Sequence, residues 1–180
     1  MERSFSVGLG SIEVVEGDIT RQVVDVVVNA ANSRLSGGGG VDGAIHRAAG
    51  PELDRACRRI GVCPTGSAVF TPAFRLTARR ILHAVGPIWE GGGRGEAAAL
   101  RSAYETCLRL AAEEGWSSIA LPSISTGAYG YPMREASAIA VNAAREHLEK
   151  ETSLRTVRFV LYGEAACGIF RKVAEELLVP

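Results

Sequence analysis

Residues 23–46 read Val23-Val24-Asp25-Val26-Val27-Val28-Asn29-Ala30-Ala31-Asn32-Ser33-Arg34-Leu35-Ser36-Gly37-Gly38-Gly39-Gly40-Val41-Asp42-Gly43-Ala44-Ile45-His46. Residues 23–30 form an apolar, largely β-branched run that is too continuous for a half-exposed strand. A strand buried on both faces fits it. From Asn29 the chain enters a loop closed by four glycines, and Val41 to His46 opens a helix with an acid, Asp42, in its first turn. A strand that runs through a glycine loop into a helix is the unit of a layered α/β fold. The loop then lies at the carboxyl edge of the sheet, where such folds bind ligands.

The same alternation continues on both sides of this stretch. Short apolar runs at 11–15, 66–74, 80–86, 117–124 and 156–162 read as further strands. Between them, Ala97, Leu100, Tyr104, Cys107 and Ala111 recur at helical spacing, as do Met133, Ala136, Ala140, Ala143 and His147. Another helix begins at Pro51, a favoured first-turn residue, and a last one runs from Glu164 to Leu178 with Ile169, Phe170, Val173 and Leu177 inward. No repeat, proline-rich linker or charge run divides the chain, and Gly91-Gly92-Gly93 reads as a surface turn before a helix. A single domain over residues 1–180 is expected.

Composition narrows the class of partner. The chain has 20 Lys+Arg against 20 Asp+Glu, a formal net charge of +0 at pH 7. A duplex nucleic acid or an anionic membrane is normally met by a basic face, so neither is expected to be recognised through bulk charge. With 47% hydrophobic and 22% charged residues the chain can bury an ordinary core and is not disordered. Cys57, Cys63, Cys107 and Cys167 form no close-spaced framework and read as reduced thiols, with Cys107 in the core. His46, His83 and His147 make no metal-ligand spacing with each other or with a cysteine, so no metal is expected. Gly8 and Gly10 interrupt the first apolar stretch, and nowhere is there a run of about 18 apolar residues. A cytoplasmic, soluble protein with no membrane partner is the expectation.

A second loop occupies the same kind of position. Ser125-Thr126-Gly127-Ala128-Tyr129-Gly130-Tyr131-Pro132 connects the strand ending near Ile124 to the helix starting near Met133. Two strand-to-helix glycine loops can grip a diphosphate from both sides with backbone N–H groups, which needs no net positive charge. A flexible surface turn is the plainer reading of the four glycines. Other phosphate motifs fail on inspection. Gly38 to Gly43 matches G-x-G-x-x-G, but the acid required about 20 residues later is absent from the Arg58 to Cys63 region. There is no G-x-x-x-x-G-K-[ST], and Ser123 to Gly127 lacks the leading glycine of a nucleophile elbow.

Gly17-Asp18-Ile19-Thr20, Asn29-Ala30-Ala31-Asn32, Gly38 to His46, His83-Ala84-Val85-Gly86-Pro87 and Ser125 to Pro132 together resemble the macrodomain pattern, in its MacroD-type, ADP-ribose-hydrolysing branch. The similarity runs from Gly17 to Tyr162 with the motifs in order. It implies a three-layer α/β/α fold with a mixed, mostly parallel central sheet of about six strands. It also implies that ADP-ribose and O-acetyl-ADP-ribose are ligands, that mono-ADP-ribosylated proteins are partners, and that no cofactor is used. Asp18, with the Ile19 amide, resembles the group that receives the adenine amino group, and Tyr162 the aromatic that stacks on the base. Gly38, Gly39, Gly40 and Val41, with Ser125, Thr126, Gly127, Ala128 and Tyr129, resemble the diphosphate and distal-ribose loops. Asn32 resembles the residue that holds the distal ribose, and Asp42 the one that orients or activates water. A substrate phosphate is the implied second basic oxygen.

Read alone, several of these residues have simpler explanations. Asp18 could close an Asx turn or cap a helix, Tyr162 could be edge-of-core packing, Asp42 a first-turn helix acid, and Tyr129 a loop aromatic. His46 and His83 read as packing or supporting groups. The sequence departs from the pattern at Ala128 and Gly163, which bears on closure around the distal ribose. Three functions follow: an ADP-ribosyl hydrolase or O-acetyl-ADP-ribose deacetylase, a non-catalytic ADP-ribose reader, or a hydrolase of ADP-ribosylated nucleic acid helped by a local patch around Arg34 and Arg47. Apart from such a substrate, nucleic acid is not an expected partner.

Overall fold

The computed structural model describes residues 3–179. Seven strands form one sheet in the order β1-β2-β7-β6-β3-β5-β4. They are β1 (Arg3–Val7), β2 (Gly10–Glu16), β3 (Val26–Ala31), β4 (Ala68–Pro72), β5 (Arg80–Val85), β6 (Ser118–Leu121) and β7 (Thr156–Leu161). The sheet is therefore one strand larger than expected. The extra strand is β1, which pairs antiparallel with β2 through a hairpin turned by Gly8 at φ 56. Ser4 and Ser6 are exposed on one face, and Arg3 is exposed at the start of the face that buries Phe5 and Val7, so the strand lacks the apolar continuity of the inner strands. The β4–β5 pair is also antiparallel, whereas β2, β7, β6, β3 and β5 run parallel.

Five helices cover the two faces: α1 (Gly40–Ala49), α2 (Pro51–Ile60), α3 (Glu96–Glu113), α4 (Met133–Leu148) and α5 (Glu164–Leu178). The alternation of strand side chains explains the three layers. On β3, Val26 and Val28 join the core beneath α3, α4 and α5, while Val27 joins the core beneath α1 and α2. On β5, Leu82 and Ala84 face the first core, and Ile81 and Val85 the second. The helix stripes hold with local exceptions. Ala97 is exposed in the first turn of α3, and on α5 Cys167 and Ala174 take inward places while Ile169 turns outward. All four cysteines are buried and free. No helix among the described residues is long and apolar enough to cross a membrane.

The topology creates a crevice. The adjacent strands β3 and β6 pair only at Val26–Ile119 and Val27–Ala120. Beyond that point β3 leads to α1 on one face, and β6 leads to α4 on the other. Adjacent strands whose connections leave to opposite faces make a switch point, and the space between the two departing loops is open.

Candidate functional site

Both glycine loops line that crevice. A cavity of about 320 Å³ lies between them, walled by Asn32, Gly38, Gly39, Gly40, Val41 and Asp42 on one side and by Ser125, Gly127, Ala128 and Tyr129 on the other. It continues into a second cavity of about 450 Å³, lined by Asp18, Ile19, Thr126 and Tyr162 and sharing Gly40, Val41 and Gly127 with the first. All the residues expected at the site thus border one continuous cleft. A larger hollow of about 690 Å³ lies elsewhere, next to Lys150 and Arg155. Its polar side chains engage one another instead of converging on it: Arg109 pairs with Glu113 at 2.7 Å, and His147 with Thr152 at 2.9 Å.

The first loop is built to hold a fixed shape around the cleft. Asn32 Nδ2 donates to Gly37 O at 3.0 Å, and its Oδ1 accepts from the Ser36 backbone N–H and hydroxyl, each at 3.2 Å. Asn32 therefore braces the loop as well as lining the cavity. The loop packs so closely on α1 that a Cβ on Gly43 would lie 2.5 Å from Gly38 O. No side chain caps the N-terminus of α1. Its first-turn amides are left for an anion, which the helix dipole favours.

The second loop is anchored from behind. Tyr104 on α3, fully buried, donates its hydroxyl proton to Pro122 O at 3.1 Å and accepts from Ile124 N–H at 2.9 Å. Trp89 N–H donates to Tyr129 O at 2.9 Å, and Tyr131 N–H to Ser125 O at 2.9 Å. Glu96 ties down the glycine turn before α3, accepting from the N–H groups of Glu90, Gly92 and Arg94. Leu35 at φ 55 and Ser125 at φ 66 put one non-glycine residue of each loop in the left-handed region. Such strain persists only where its surroundings impose it, and it concentrates at functional sites. The buried Ser125 Oγ has no hydrogen-bond partner among the described residues.

The two ends of the cleft differ in chemistry. At the outer end Asp18 caps the 3-10 turn Ile19–Arg21, accepting from Thr20 N–H at 2.9 Å and from the Thr20 hydroxyl at 2.7 Å. The Thr20 hydroxyl foremost holds the Asp18 carboxyl below its usual range. The capping and cavity-lining readings of Asp18 are thus both true of it. Tyr162 is 89% exposed, which excludes core packing and leaves a ring face open at the rim. Gly163 follows it at φ 92 as the N-cap of α5, a conformation that a Cβ would strain.

At the inner end Asp42 is buried, and its Oδ1 accepts from Asn29 Nδ2 at 2.7 Å. The carboxylate fixes the orientation of the Asn29 amide, because the reverse orientation would set two oxygens against each other. Asn29 Nδ2 lies 3.1 Å from His83 Nδ1, and His83 Nε2 lies 2.8 Å from Thr71 Oγ1. Nδ1 is then the acceptor and Nε2–H the donor, a neutral ring that burial maintains by pushing its pKa down to about 4. His46, one turn after Asp42, has Nε2 3.3 Å from Asp42 Oδ1 and Nδ1 2.6 Å from Asp54 Oδ1 on α2.

Sequence reasoning missed this network. Asn29 reads from sequence as the end of a strand, the start of a loop and part of a motif, with no side-chain role, although a polar residue inside a valine run is itself a signal. The four-residue step from Asp42 to His46 was a second signal, whereas Asp54 is joined to them by tertiary structure alone. His46, Cys57 and His83 also bring three metal-ligand-type atoms within 4.8 Å of one another, which their spacing gave no reason to expect. Both nitrogens of His83 and the Nδ1 of His46 are already engaged by Asn29, Thr71 and Asp54, so protein groups knit this cluster together.

The family model described as Macro domain matches residues 28–140, which contain both loops and the buried acid. The chain belongs to the Macro domain family. This macro domain is 51% identical over 166 residues, 90% of this chain and 92% of the relative, to a protein of Enterobacter cloacae subsp. cloacae named O-acetyl-ADP-ribose deacetylase. It is 40% identical to the Oceanobacillus iheyensis macrodomain solved with ADP, with a TM-score of 0.95 and coverage of 98% of this chain and 96% of that one. The G37V mutant of the same macrodomain, solved with ADPR, matches with a TM-score of 0.96, 40% identity and full coverage of both chains. The macro domain's three-layer architecture is thereby shared with solved structures, and its cleft occupies the switch point described above.

Proposed function

We propose that this macro domain binds ADP-ribose along the cleft and hydrolyses acyl esters of its distal ribose. The substrates are O-acetyl-ADP-ribose and proteins carrying mono-ADP-ribose on acidic side chains. Adenine would lie against Tyr162 with its amino group toward Asp18, the diphosphate between the amides of the two loops, and the distal ribose among Asn32, Asp42 and Tyr129. Stacking on Tyr162 supplies apolar contact at low entropic cost, and the loop amides supply anion recognition without net charge. The relatives named O-acetyl-ADP-ribose deacetylase and the neighbours solved with ADP and ADPR support this reading.

The buried Asp42 and the network behind it carry the choice of hydrolase over reader. One Asp42 oxygen is held by Asn29, and the other faces Gly38 on the cavity side, so a water can be received in a fixed direction. A carboxylate within hydrogen-bond reach of water at the reacting centre is what ester hydrolysis needs. Water adds to the ester, the ester bond breaks, and ADP-ribose leaves with acetate or with the freed side-chain carboxylate. A site that only held ligand would gain nothing from a buried acid next to two phosphates. The test is product release from O-acetyl-ADP-ribose and from an ADP-ribosylated acidic peptide. Asp42→Ala should keep ADP-ribose affinity by calorimetry and lose turnover by about a hundredfold or more. A wild-type protein that binds ADP-ribose but leaves both substrates intact would establish the reader instead.

A further inference from the structure

Asp54 lies outside the cleft, on α2, with its side chain half exposed. Resting on the hydrolase reading above, we propose that Asp54 is a positioning residue: through His46 it fixes the orientation and proton count of the ring that stands behind Asp42. The geometry requires a particular ring state. His46 Nδ1, 2.6 Å from Asp54 Oδ1, must carry a proton to make that contact. If it carried the only proton, Nε2 would present a lone pair to Asp42 Oδ1 3.3 Å away, oxygen against nitrogen with no hydrogen between. The doubly protonated ring donates to Asp54 and turns a positive N–H edge, not a lone pair, toward Asp42.

The environment agrees. The ring faces Asp42 of its own helix, Asp54 and Cys57 of α2, His83 of β5 at a centroid distance of 6.4 Å, and the backbone at Gly37. Contact with Asp42 foremost, then with Cys57 and Asp54, raises the His46 pKa to about 10 against the opposing effect of burial. His83, held neutral, adds no competing charge at working pH. The Nε2–H is not aligned on Asp42 closely enough for a hydrogen bond, so its hold on that carboxylate is through charge. Removing the Asp54 charge therefore reaches Asp42 without touching the cleft wall.

A purely structural role, pinning α2 to α1, is separable from this. Asp54→Asn keeps an oxygen that can accept from Nδ1–H and removes only the charge, and Asp54→Glu restores the charge. The experiment measures the His46 ring titration by NMR, the pH profile of kcat on O-acetyl-ADP-ribose after subtraction of uncatalysed hydrolysis, and ADP-ribose affinity by calorimetry. For Asp54→Asn, the His46 midpoint and the alkaline limb of kcat should both move down by about one pH unit. That amounts to a loss of up to about tenfold above the wild-type midpoint and none near pH 6.5. At neutral pH, where the ring is charged in both proteins, KM and ADP-ribose affinity should stay within about twofold, because no cleft contact changes. Asp54→Glu should recover the wild-type profile.

The proposal is overturned if wild-type enzyme turns over and Asp54→Asn titrates and profiles like it, or if activity drops equally at every pH together with thermal stability. Failure of the hydrolase reading looks different: wild-type protein inert at all pH. In that case a His46 midpoint in its ordinary range near 6.5, or one that Asp54→Asn leaves in place, refutes the coupling independently of turnover.

Discussion

Gly86, just beyond β5, closes the floor of the cleft, and its missing side chain is the reason the second loop can sit where it does. A Cβ built there would lie 2.2 Å from Ser125 Oγ and 2.5 Å from Ile124 Cγ2. Van der Waals contact needs 3.4 Å or more, so the loop must retreat by about 1 Å. Rotating the Ser125 hydroxyl away would not suffice, because Ile124 is buried and its β-branched side chain is stiff at χ1. Overpacking of this kind costs about 1–3 kcal/mol, a melting temperature lower by about 3–10 °C for a chain of this size. The same 1 Å shift at Ser125 to Tyr129 displaces the amides proposed to face the diphosphate, and a misplacement of that size costs about a hundredfold in turnover. Gly86→Ala should therefore remain folded at 25 °C while losing O-acetyl-ADP-ribose hydrolysis and most ADP-ribose affinity. Thermal melting, calorimetry and steady-state kinetics on one preparation check it. Wild-type affinity and kcat in a protein with an unchanged melting temperature would show that the loop yields without consequence, refuting the argument from Gly86.

Two other outcomes follow from buried groups around the site. Tyr104→Phe leaves the Ile124 N–H and Pro122 C=O without their partner; the stability loss should be about 2 kcal/mol, read as a melting temperature lower by about 4–8 °C. The two network histidines should also place the stability maximum near pH 6.5. His83, lowered to about 4, refuses in the folded state a proton that the unfolded chain binds between pH 4 and 6.5, so stability rises with pH across that window. His46, raised to about 10, holds a proton that the unfolded chain releases above 6.5, so its contribution is full below 6.5 and is lost between 6.5 and 10. Melting scans across pH for wild type and His46→Gln check this: the variant should lose the alkaline slope and keep the acid one, and an alkaline slope that survives would overturn the assignment.

What the sequence makes legible is whatever is periodic or conformationally special. The valine run of residues 23–28 and the glycines after it located a buried strand and its ligand loop without tertiary knowledge, because strand burial and left-handed turns leave local marks. β1 escaped because an edge strand of a hairpin needs only every second residue apolar, here Phe5 and Val7, and Arg3, Ser4 and Ser6 obscured the pattern. The tighter boundaries of β3, Val26–Ala31 against the expected 23–30, have a related cause: Val23 is apolar yet 78% exposed, and apolarity alone does not place a residue in a ladder. The network behind Asp42 was legible only in part. Asp42 and His46 share a helix and Asn29 shares the motif, but Asp54 and Thr71 arrive from α2 and β4, and no local rule connects them.

The zero net charge is best understood at this network. Asp42 lies in the first turn of α1, whose amides are proposed to receive phosphate, so the proposed chemistry and the anion site would compete for the same space. A bare carboxylate beside a phosphate charge would repel it and weaken binding. A protonated His46, 3.3 Å from Asp42, would offset part of that repulsion, and Asp54, on the far side of the ring and half exposed, would favour the protonated ring where solvent screens Asp54's own field. Arg47 lines the outer cavity, away from the buried acid; a cation bonded directly to the Asp42 carboxylate would instead occupy the oxygen proposed to receive water. A cation placed behind the acid keeps that oxygen free, and with loop amides and Arg47 along the cleft the proposed dianion site needs no excess of basic residues over the whole chain.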